Sequence, residues 1–73
     1  MTKTGRSALE TLLMLRPKAT VFIEYDLESM QFFVGYAEHG GPLTQFSASH
    51  RDLTEALDLA EAHAVEYIEE LTG

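Results

Sequence analysis

Carboxylates and histidines are the residues of this 73-residue chain whose chemistry is most available: twelve Asp and Glu stand beside three His, five Lys or Arg and no Cys. Three arrangements invite a catalytic or metal reading. His39, His50 and His63 supply metal-ligating nitrogens, but zinc needs three or four ligands that converge. Two of these histidines fall in loops and one on a helix, and nothing in their spacing brings them together, so neither metal nor cofactor is expected. Ser47, Ser49, His50 and Asp52 contain the members of an acyl-transfer triad. Neighbours in sequence rarely reach triad geometry, however, and the nucleophile normally sits on a strained turn beside Gly. The run Glu38-His39-Gly40-Gly41-Pro42 has adjacent glycines without the Lys and following helix of a phosphate cradle, and reads as a turn. A domain this small has little room for a water-excluding pocket. No catalytic residue is assigned, and the chain is expected not to be an enzyme.

The remaining constellation is electrostatic. Residues 52–73 carry seven carboxylates and no Lys or Arg, within a chain of net charge −7. Glu55, Asp58, Glu66 and Glu69 fall on one side of a helical pattern. An ordinary solvated face mixes signs, because Glu–Lys pairs four apart add stability and like charges subtract it. An unmixed acidic face suits either solubility or the occupation of a basic cleft on another protein. Too few bases are present to neutralise phosphates, so direct nucleic-acid binding and docking on an anionic membrane are not expected. A basic protein is the electrostatic partner that fits.

The elements that must carry these residues follow from pattern. Residues 1–6 are polar and expected to be disordered. Ser7 and Glu10 form a capping box for a helix that places Leu9, Leu12 and Leu13 along one side and stops near Leu15, because Pro17 disfavours helix before it. Residues 19–25 alternate, with Val21, Ile23 and Tyr25 on one face and Thr20, Phe22 and Glu24 on the other. After a polar turn, residues 30–37 alternate again: Phe32, Val34 and Tyr36 against Gln31, Phe33 and Gly35. The Gly-Gly-Pro breaker follows, then a weaker third strand over 43–48. Ser49 or Asp52 opens the last helix, whose apolar positions Leu53, Ala56, Leu57, Ala60, Ala64, Tyr67, Ile68 and Leu71 recur at spacings of three and four; Gly73 is a plausible stop. This predicts one α+β domain over residues 1–73: an N-terminal helix, a three-stranded antiparallel meander and an amphipathic C-terminal helix.

If helices cover one side of that sheet, Phe22 and Phe33 are left on the other, and exposed aromatic surface marks interaction sites. A chain this short has a marginal core and no disulfide to reinforce it, so a homodimer is expected. Absence of Cys fits a reducing compartment. No segment reaches membrane-spanning length, and Leu12-Leu13-Met14-Leu15 is too short for a signal-peptide core. The expected location is cytoplasmic.

Two resemblances attach to these residues. The helix–β–β–β–helix order is similar to that of double-stranded-RNA-binding domains, but the start of the last helix, Asp52-Leu53-Thr54-Glu55, is acidic where that family is basic, so its RNA binding is not implied. Over residues 19–71, Val21-Phe22-Ile23-Glu24-Tyr25-Asp26, Phe32-Phe33-Val34, the Gly-Pro loop and Leu53-Thr54-Glu55-Ala56-Leu57 continuing to Tyr67-Ile68-Glu69-Glu70-Leu71 resemble the N-terminal domain of HicB-type antitoxins. That resemblance implies neutralisation of a small basic RNA-cleaving toxin. Its added first helix departs from that family, whose members usually continue into a DNA-binding domain beyond the stretch matched here. The expected function is therefore a non-enzymatic acidic module that occludes a basic surface of a nucleic-acid-handling protein, antitoxin-like or of the phage anti-defence kind, through Glu55, Asp58, Glu66, Glu69, Phe22 and Phe33. The competing expectation is a ligand- or nucleotide-sequestering dimer with a pocket lined by Tyr25, Tyr36, Arg16, Lys18 and Arg51; a structural subunit of a larger assembly is the third.

Overall fold

The computed structural model describes residues 7–38 and 44–73. The N-terminal six residues, expected to be disordered, lie outside that description, as do His39, the Gly40-Gly41-Pro42 breaker and Leu43. The order is α1 (Ala8–Leu15), β1 (Thr20–Asp26), β2 (Gln31–Ala37), β3 (Phe46–His50) and α2 (Leu53–Thr72). The strands form one antiparallel sheet in the order β1-β2-β3. The protein is an α+β domain of the αβββα kind.

Local chemistry sets each boundary. Ser7 caps α1, its Oγ accepting the Glu10 amide at 3.1 Å. The helix ends at Arg16, which leaves helical conformation immediately before Pro17. The β1–β2 turn is tied by Asp26: one carboxylate oxygen accepts the Glu28 amide and the other the Ser29 hydroxyl, each at 3.0 Å. Met30 closes the turn at φ 58°, a left-handed conformation that costs an L side chain energy. Asp52 is the cap of α2 and accepts the Thr54 amide at 3.0 Å, while its own amide donates to His50 Nδ1.

β3 differs from expectation. It runs Phe46–His50 rather than over 43–48, because its register is dictated by β2: Tyr36 lies opposite Phe46 and Phe32 opposite His50. Ser49 is thereby a strand residue, and Asp52 alone begins the helix.

Both helices lie on one side of the sheet. Leu9 and Leu12 of α1, Val34 and Tyr36 of β2, Ala48 of β3 and Ala56, Ala60 and Ala64 of α2 form the core. The three alanines are fully buried. Their small size lets α1 and the sheet approach the α2 backbone closely. α2 packs over β3 and β2, and α1 against α2, with little contact to β1. The β1–β2 pairing is continuous from Thr20 opposite Ala37 to Asp26 opposite Gln31. No bulge turns Phe22 or Phe33 inward, and both occupy the face away from the helices. No helix among the described residues is long and apolar enough to cross a membrane.

Candidate functional site

α2 is built as two faces. Its inner face is the alanine line with Leu53, Leu57, Tyr67 and Ile68 packed against the core. Its outer face carries Glu55, Asp58, Glu66 and Glu69, all exposed. The steps from 55 to 58, 58 to 62, 62 to 66 and 66 to 69 are three or four residues, so the acids form one line interrupted by Ala62. At 1.5 Å per residue the line from Glu55 to Glu69 covers about 21 Å. Basic residues are absent from the last turn, where Glu69 and Glu70 add negative charge to the negative end of the helix dipole.

One acid of α2 is turned inward and does structural work. Glu61 Oε1 accepts the Ala8 amide at 2.7 Å and Oε2 the Leu9 amide at 3.2 Å. With Ser7 on the Glu10 amide, the first three amides of α1 are all satisfied. Glu61 was not singled out in the sequence, because only the crossing of α1 over α2 reveals what it holds.

A second polar centre was missed from the sequence. Glu38, just beyond β2, accepts the Tyr36 hydroxyl at 3.0 Å and the Tyr67 hydroxyl at 2.8 Å on the same oxygen, Oε2. Arg16 Nε lies 3.7 Å from that oxygen. These four groups tie the end of α1, the end of β2 and the last third of α2 together. Desolvation raises the pKa of both tyrosines above the usual phenol range, and donation to Glu38 raises it further. The signal was present: Glu38 follows Tyr36 by two residues, which in a strand is the same face, and a buried phenol needs a partner. Tyr36 and Tyr67 also pack with Phe46 in a ring cluster whose centroids are 5.1–5.8 Å apart.

Phe22 and Phe33 are half-buried on the open face. Phe22 lies over Gly35, its partner across the strands; a Cβ at Gly35 would overlap the ring, and Gly35 is buried beneath it. Phe33 sits opposite Glu24 and Ser49. The sheet separates these rings from the α2 acids, so the six expected binding residues form two surfaces on opposite sides of the domain and not one patch.

The other expected groupings are also divided. Arg16 and Lys18 line an open cleft of about 320 Å³ with Leu15, Pro17, Ala19 and Glu38. Tyr36 is wholly buried and connects to Arg16 only through Glu38. Tyr25 pairs with Phe32 at the far end of the sheet, where Arg51 follows His50; five strand residues separate that end from the cleft, about 17 Å. The five residues of the ligand-pocket expectation therefore do not share a pocket. Ser47 and Ser49 lie on the open face and His50 on the helix face, while Asp52 is engaged as a helix cap. His63 packs beside the Phe46 ring and borders a shallow groove with Glu66. Among the described residues no three His, Asp or Glu converge as a metal site. Against known protein families, curated proteins and solved structures, the chain has no match.

Proposed function

We propose that this protein is a non-enzymatic acidic binding module whose α2 outer face occupies a basic surface on a nucleic-acid-handling protein. The observation that carries the reading is the line Glu55, Asp58, Glu66 and Glu69, exposed over most of a helix that contains no Lys or Arg. The arrangement is unfavourable for the isolated chain. Like charges three and four apart cost about 0.2–0.5 kcal/mol per pair. Acids at the C-terminal end of a helix oppose its dipole, where a cation would gain about 0.3–1 kcal/mol. A basic partner removes both costs on binding, and the field of the line steers its approach. Glu61 supports the distinction between roles, since it is the acid of α2 that the fold itself uses.

An antitoxin-like protein would use this face to neutralise a basic RNase, in keeping with the resemblance to the HicB N-terminal domain. A phage anti-defence protein would use it on a host nuclease. The physics is common to both.

The test is capture of partners on the tagged chain, with elution by rising salt, compared with the variant Glu55→Gln, Asp58→Asn, Glu66→Gln, Glu69→Gln. The expected result is a basic, nucleic-acid-handling protein released by salt, which associates more slowly with the variant and with a shallower salt dependence. Capture that is equal for both proteins at all salt concentrations would refute the electrostatic reading.

A further inference from the structure

We propose that two copies of this chain pair antiparallel through their β1 strands about a two-fold axis at Ile23, joining the two sheets into one of six strands. β1 is an outer strand of the sheet, seven residues long against five for β3, and its pairing with β2 is unbroken. Among the described residues it lacks the stronger devices that protect an edge: Thr20-Val21-Phe22-Ile23-Glu24-Tyr25-Asp26 contains no Pro and no Lys, its charges being Glu24 and Asp26, and no bulge twists it away.

Its side chains are left half-covered on the side where they should be buried. Val21, Ile23 and Tyr25 point to the helix side, level with Tyr36, Val34 and Phe32 of β2. Val34 and Tyr36 are fully buried, whereas Ile23 is 52% exposed and Tyr25 44% exposed. The reason is the placement of the helices over β2 and β3, which stops short of β1.

The strand is complementary to itself in one register. Pairing about Ile23 uses all seven residues and sets Val21 opposite Tyr25, Ile23 opposite Ile23, Phe22 opposite Glu24 and Thr20 opposite Asp26 of the second copy. Moving the axis to Glu24 places two carboxylates directly opposite, which is destabilising; moving it to Phe22 leaves Tyr25 and Asp26 unpaired. Charge agrees with the Ile23 register. Arg16 and Lys18 precede β1, and Asp26 and Glu28 close it, so the basic start of each strand meets the acidic end of the other. The acid line of α2 is not on this edge, because α2 lies over β3 and β2. A stable interface buries about 800 Å² per partner, which is about 15% of this domain's surface; the edge, Ile23, Tyr25 and the exposed tip residues Leu27 and Met30 are the apolar surface that lies along it. The β1 edge and the α2 face are separate surfaces, so each can fail without the other.

The test uses the absence of native Cys. Residues opposite on the axis of an antiparallel pair have Cα atoms about 4.5–5.5 Å apart, within disulfide reach. Ile23→Cys alone is expected to give an inter-chain disulfide on mild oxidation. Val21→Cys alone is not, but a mixture of Val21→Cys and Tyr25→Cys is. Light scattering should show the wild-type chain at twice the monomer mass and Ile23→Lys at the monomer mass, with its circular dichroism unchanged. A wild-type chain that is monomeric at all concentrations overturns the proposal. So does a dimer that is dissociated by Phe33→Lys and not cross-linked through position 23, which would locate the contact on the open face.

Discussion

Removing the Glu61 carboxylate is the sharpest test of how α2 divides its acids between fold and surface. The side chain accepts two backbone amides at the N-terminus of α1, at 2.7 and 3.2 Å, from 53 and 52 residues away respectively. α1 has only eight residues, too few to persist without tertiary support. A hydrogen bond to a charged group contributes about 1.5–3 kcal/mol, and a carboxylate at a helix N-terminus about 0.3–1 kcal/mol. The site is half-buried, so water replaces part of the loss when the carboxylate goes. Glu61→Ala should therefore cost about 2–3 kcal/mol. For a domain of this size that corresponds to a fall in Tm of roughly 10–20 °C. The assay is thermal unfolding followed by circular dichroism, with Glu55→Ala and Glu66→Ala as controls on the outer face. Those two should stay within about 0.5 kcal/mol of wild type. If Glu61→Ala unfolds at the same temperature as Glu66→Ala, the cap contributes nothing and the division of roles along α2 is wrong.

Four further outcomes follow from the packing. Gly35→Val should destabilise by about 1–3 kcal/mol in chemical denaturation, because the new side chain overlaps the Phe22 ring; adding Phe22→Ala should recover part of that loss, and a strictly additive double variant would contradict the contact. Ala60→Leu should cost about 1–3 kcal/mol, since Ala60 is fully buried where α1 and the sheet close on α2; a neutral result in the same assay would mean the core has room that the structure does not show. Met30→Gly should stabilise by about 0.5–1 kcal/mol by relieving the left-handed backbone at φ 58°, read as a rise in Tm. Tyr36 and Tyr67 have folded pKa values raised above the unfolded phenol value. Their contribution to stability is complete below about pH 10 and is lost as pH rises past it toward the folded values, because the unfolded chain gives up those protons first. A denaturation series from pH 8 upward (in about half-unit steps) should show stability falling above about pH 10, and falling less for Tyr67→Phe.

The elements legible in the sequence are those decided by local chemistry. Ser7, Pro17, Asp52 and the apolar spacing of α2 act within a few residues of themselves, and so do the alternating faces of β1 and β2. What escaped notice depends on which segments meet in space. β3 lies two to three residues later than its own composition suggests because β2 sets its register. Glu61 and Glu38 look like ordinary acids until α1 crosses α2 and two phenols, one buried and one half-buried, converge on one carboxylate. The acids Glu55, Asp58, Glu66 and Glu69 were readable as a line because helical period alone places them. Their separation from Phe22 and Phe33 was readable only on the condition that the helices cover the face opposite those rings, and the packing of the helices supplies that condition.

That separation bears on how a chain this acidic associates with itself and with others. Net charge of −7 opposes self-association if it is spread evenly. Here it is concentrated on the outer face of α2, over β2 and β3, and screening limits its reach to about 8 Å at physiological salt. The opposite margin of the sheet, with Arg16 and Lys18 before β1 and Asp26 and Glu28 after it, is close to balanced and carries the half-exposed Ile23 and Tyr25. Raising salt should therefore separate two kinds of contact in this protein. Binding through α2 depends on Coulomb attraction and weakens as ions are added. Pairing through β1 depends on backbone hydrogen bonds and apolar burial, and holds. A wild-type dimer that dissociates at high salt in step with loss of an α2 partner would show that the two surfaces are not independent, and would place the self-contact on charge and not on the strand.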